Sequence, residues 1–223
     1  VVNKKTVLTS REGYYYASLK EIYFKKDVNL IDPAYKIKTD SLIYNTATQT
    51  NRFIAKTIIT DSTGRQIETQ DGYYRGGKAE FGMRPIVKDG ATTVIGDRIA
   101  FNDSTGTSQA IGNVIVTDTA QGTTLITNQL FRENKGNRTL ATGKPLLIIK
   151  QESDSLFLTA DTIFSASITP EPINQNSKDS IKGEKGKTLV KGTKNIALNK
   201  SDSSLRYIEA FHHVKIYSDS LQA

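Results

Sequence analysis

Residues 37–45 read IKTDSLIYN. As a strand, the stretch does not keep one phase. Ile37 and Thr39 share one parity, Leu42 and Tyr44 share the other, and Asp40-Ser41 stand between them. Strand side chains alternate between faces, so keeping one buried face across a change of parity requires an extra residue. Such an insertion is a bulge or a corner, and a short polar side chain suits it by bonding nearby backbone groups.

The same pattern recurs along the chain. Anchors stand at Glu12, Asp40, Asp71, Asp97, Asn128 and Asp161, spaced 28, 31, 26, 31 and 33 residues apart. Two residues after each comes Tyr14, Leu42, Tyr73, Ile99, Leu130 or Ile163. Three before come Ile37, Val94, Leu125 and Leu158, while Leu8 and Ile67 sit one position earlier in their units. Between anchors lie short β-rich runs that end in polar turns: IDPA, TDSTG, KDGA and TDTAQG. Asp with Gly or Pro is turn chemistry, and RPIVKDGATTVIGD reads as a hairpin. Repetition at about 30 residues means a stack of similar units. The composition is rich in Thr, Ile, Val, Tyr and Phe, which favours strands. The expected fold is therefore all-β and antiparallel, one domain over residues 1–223, with the anchors as corner residues.

One segment breaks the pattern. Residues 174–204 are rich in Lys, Ser, Gly and Asn, with seven lysines against three acids. This stretch reads as a mobile insert that buries little apolar surface. It carries +4 of the net +7, and no aromatic residue interleaves its lysines to stack bases. That distribution argues against nucleic acid as partner. GEKGKT resembles the end of a phosphate-binding loop, but Ile181 stands where its first glycine belongs. At the C-terminal end, VKIYSDS starts a further unit, so the expectation is a fragment of a longer chain.

Catalytic chemistry finds no foothold. The chain has no cysteine for a thiolate, disulfide or zinc site. His212 and His213 are adjacent; on a strand they would point to opposite faces as solvated residues. A Ca²⁺ ladder would need several oxygens on one ion, and one anchor per unit does not supply them. The reading is not an enzyme, with no cofactor and no metal. No apolar run approaches the length of a membrane-spanning helix.

The repeated segments YKIKTDSLIYNTATQTNRFIA, TVIGDRIAFNDSTGTSQAIGNVIVTD and LTADTIFS…YIEAFHHVKIYSDSLQA resemble the OstA-like family. That group includes LptA and the N-terminal domain of LptD. The long insert makes the chain most like the OstA-like proteins of Bacteroidetes. The resemblance implies a V-shaped, taco-like β-jellyroll. It implies a periplasmic location in outer-membrane assembly and a partner, lipopolysaccharide, whose acyl chains lie in an apolar groove. It implies edge-strand pairing with other jellyroll domains of the Lpt type or with a second copy. The inward apolar positions expected to line the groove are Ile37, Leu42, Tyr44, Ile99, Phe101, Val114, Val116, Leu125, Leu130, Leu158 and Ile163. The competing expectation is a closed, adhesin-like β-stack. It would bind protein or glycan on its outer face through Tyr14, Tyr15, Tyr16, Tyr73 and Tyr74.

Overall fold

The computed structural model describes residues 2–3, 6–150, 154–168 and 205–218. The insert 174–204 lies outside them. The described residues form 21 strands joined in one continuous antiparallel ladder. The all-β antiparallel jellyroll expected from the sequence is the observed architecture.

Its plan follows from the strand Tyr35–Asn45, where the sequence changed phase. Residues 35–39 pair with Thr57–Asp61, whereas residues 42–45 pair with Thr50–Phe53. One strand thus belongs to two limbs. On its other side Thr39 faces Val28 and Ser41 faces Lys25, leaving Asp40 opposite Lys26-Asp27. The same break recurs between Thr107–Asp118 and Thr123–Glu133. There Ile111 faces Gln129 and Val114 faces Thr127, so Gly112-Asn113 stand opposite Asn128.

Successive segments therefore stack, in chain order, into two limbs of a V that meet along a line of corners. One limb runs from Thr6–Thr9 to Lys215–Ser218, and the other from Glu12–Tyr16 to Leu205–Phe211. The inward apolar residues of both limbs form one core cluster.

Residues just before the corners show how the crease is held. Ser10, Thr39, Thr69 and Thr127 each place a hydroxyl in reach of the carbonyl two residues on, at 2.9, 3.2, 2.7 and 3.3 Å. Gly96 and Ala160 take the same place before Asp97 and Asp161. An inward side chain there points into the narrow angle between the limbs, so only small residues fit.

This pattern corrects two of the anchors. In the first and third units the corner residues are Arg11 and Gln70, not Glu12 and Asp71. The early apolar residues Leu8 and Ile67 marked that shift. Gly13 pairs with Phe24 and Gly72 with Phe81, so these glycines face inward and Tyr14 and Tyr73 face out, exposed.

Each repeat unit also crosses the corner line twice, not once. Five of the six alternate crossings carry paired left-handed residues, Lys26-Asp27, Met83-Arg84, Gly112-Asn113, Gly143-Lys144 and His212-His213, and the one at residues 54–56 does not. The two histidines are therefore corner residues, not strand residues, and they are exposed as expected. Side-chain contacts link several neighbouring corners: the ion pairs of Arg11 with Asp27, Lys26 with Glu12 and Arg84 with Asp97 at 3.0 Å, and the contact of His213 Nδ1 with Asp161 Oδ2 at 2.7 Å. All are exposed pairs, and such pairs add little stability.

Candidate functional site: the trough between the limbs

The space between the limbs changes along the molecule because the inward residues change size. Toward the N-terminal side, Leu42, Phe53 and Phe81 fill the crease of one limb and are fully buried. Phe53 stacks on Phe81 with ring centroids 6.0 Å apart, and Phe81 meets Phe101 edge-on at 6.1 Å. Nearer the mouth, Tyr35 of one limb meets Tyr74 of the other at 5.3 Å. The Arg65 guanidinium lies 5.1 Å from the Phe101 ring centre. These contacts bridge the V, and the space left beneath them is about 220 Å³.

Toward the C-terminal side the corresponding positions hold Ala110 and Ala141 in the crease, with Ser108, Thr139 and Ser165 farther out. The facing limb stays apolar, with Val94, Val116, Leu125 and Leu147. Small residues opposite apolar ones leave the trough open. Two cavities follow, of about 400 and 550 Å³, sharing Thr92, Val94, Leu130 and Arg132. The first also shares Asp61, Arg65, Phe101 and Asp103 with the 220 Å³ space. The three spaces thus form one row with an apolar floor.

All eleven positions expected to line the groove belong to the core cluster or pack against it. The structure brings Ile99, Phe101 and Leu130 to the 400 Å³ cavity. Val116, Leu125, Leu130 and Ile163 line the larger one. Ile37 borders the smallest of the three spaces. Leu42, Tyr44, Val114 and Leu158 face inward but line none of the three.

The charged groups of the trough escaped the sequence reading. Burial pushes the Asp61 carboxyl up, but the Thr63 hydroxyl and N–H and then Arg65 outweigh it. The carboxyl is left below its ordinary value. Arg65 Nε lies 2.9 Å from Asp61 Oδ2, so the two charges offset one another at the mouth. Arg132 Nη donates to Asn137 Oδ1 at 3.3 Å; its buried Nε, like that of Arg65, makes no hydrogen bond, and what sets Arg132 apart is that no ion pair with a carboxylate is found for it among the described residues. No sequence signal marked it, because the pairing of Arg132 with cavity walls from distant strands exists only in the fold. Burial also raises the phenol of Tyr35 to about 12, with Asp32 and Tyr74 adding to the shift.

Residues 1–40 match the model of the OstA-like protein family. That stretch spans the corners at Arg11 and Asp40. The crystal structure of LptH, the LptA-homologous periplasmic component of the lipopolysaccharide transport device of Pseudomonas aeruginosa, is 11% identical. It aligns with a TM-score of 0.32 over 66% of this chain and 95% of that one. No curated protein matches the chain. By its repeat, and by the family match over residues 1–40, the chain is similar to the OstA-like proteins.

Proposed function

We propose that this chain is a non-enzymatic carrier of lipopolysaccharide-type lipid. Acyl chains lie on the apolar floor of the open part of the trough, on their way across the periplasm to the outer membrane. The observation that carries this reading is the row of adjoining cavities floored by Val94, Val116, Leu125 and Leu130. Each methylene moved from water onto such a floor is worth about 0.8 kcal/mol, so six would supply about 5 kcal/mol. That is enough to hold a lipid transiently and too little to trap it. Pairing with another jellyroll domain at an edge strand, or with a second copy, would extend the trough.

A photoreactive side chain at Leu125 or Leu130 is expected to capture lipopolysaccharide in cells, while one at the outward Tyr73 stays blank. Capture of protein or glycan at Tyr73, with nothing at the two leucines of a folded protein, would favour the adhesin-like alternative instead.

A further inference from the structure

We propose that Arg132 is an anion-reading residue inside the open trough. It would hold the phosphate or carboxylate of an amphiphile whose chain lies on the adjacent apolar floor. This rests on the lipid-carrier reading above and adds to it a requirement for charge.

Arg132 lines both open cavities, at the place where they join. The cavities it lines are apolar at Val94 and Leu130 and neutral at Asn134, Asn137 and Thr139, and their walls also carry the carboxylates of Asp61, Asp89, Asp103 and Asp118. Among the described residues no carboxylate forms an ion pair with it. The nearby acid Glu133 faces the other way along its strand and is paired with Arg138. Arg65, the other cation on the trough wall, is offset by Asp61.

The guanidinium is also held in place. Asn137 Oδ1 accepts from its Nη at 3.3 Å, while Asn137 Nδ2 donates to Ser167 Oγ at 3.2 Å and so fixes the amide. This anchoring uses one donor. The Nε–H is buried and has no acceptor. A guanidinium carries five N–H donors, so further Nη–H groups remain beyond the one given to Asn137, and it pairs best with a carboxylate or phosphate. A cation at the wall of an apolar trough, with a donor to spare, selects a ligand that is apolar along its length and anionic at one point.

The test is calorimetric titration of the whole 223-residue chain with dodecyl phosphate, dodecanoate and dodecanol, each kept below its micelle concentration, and with inorganic phosphate. The two anionic amphiphiles are expected to bind about tenfold tighter than dodecanol. Arg132→Gln should bring them down to the level of dodecanol and leave dodecanol unchanged. Arg132→Lys should keep most of the preference. Equal binding of all three amphiphiles to the unaltered protein would overturn the anion site and leave the lipid trough standing. Inorganic phosphate binding as tightly as dodecyl phosphate would overturn the amphiphile as the ligand. Failure of dodecanol and the anionic amphiphiles alike would remove the lipid reading itself.

Discussion

Single residues set the angle of the V. Gly112 has φ +77°, and a Cβ there would collide with the Asp97 carboxylate of the neighbouring corner. Gly112→Ala is expected to cost about 1–3 kcal/mol, read as a lower urea midpoint with an unchanged slope. Thr127 is buried and donates to the Thr142 carbonyl at 2.6 Å. Thr127→Val keeps the shape but strands that carbonyl, and should cost about 1–3 kcal/mol in the same measurement. Tyr35 makes the trough mouth sensitive to alkali. Its phenol is raised from 10.0 to about 12 in the folded protein, chiefly by burial. A raised value means that the stability tied to the proton is complete below pH 10. It is then lost as pH rises toward about 12. Tyr35→Phe should flatten the fall of unfolding free energy over that window, and one tyrosine fewer should ionise late.

At the scale of strands, the competition is between backbone conformation and surface charge. His213 has φ +49° and is paired with Asp161, but both side chains are well exposed. A left-handed residue with a Cβ costs about 1–2 kcal/mol, more than an exposed pair returns. Glycine would relieve that cost at an entropic penalty in the unfolded chain of about 0.4–1 kcal/mol. His213→Gly should therefore raise the melting temperature slightly, and a clear fall would show that the ion pair matters more than the backbone. The same comparison explains what was legible in the sequence. Corners such as Asp40, Asp97 and Asp161 were visible because one polar residue interrupts two runs of opposite parity. The alternate corners were not, because Met83-Arg84, Gly143-Lys144 and His212-His213 share a backbone conformation but no residue type. The shift at Arg11 and Gln70 was hidden by acids one position later, although Leu8 and Ile67 recorded it. Inward positions were legible from alternation alone. Which of them line open space was not, since that depends on the size of residues across the trough, such as Ala110 and Ala141.

For the whole molecule, the consequence lies in how segments are connected. Every strand among the described residues pairs only with strands one to three steps away along the chain, and this holds in both limbs. Cooperativity then travels as it does in a one-dimensional array, by coupling between neighbours and not through a common centre. One continuous aromatic series, Phe53 stacked on Phe81 and Phe81 edge-on to Phe101, links neighbouring strands at one place along the array. Phe81→Ala should remove about 3–5 kcal/mol there. The expected outcome is a change in the shape of the unfolding curve as well as its midpoint: a single thermal transition should separate into two. The aromatic series, confined to one limb, is in this sense the joint that lets one half of the array report on the folding of the other.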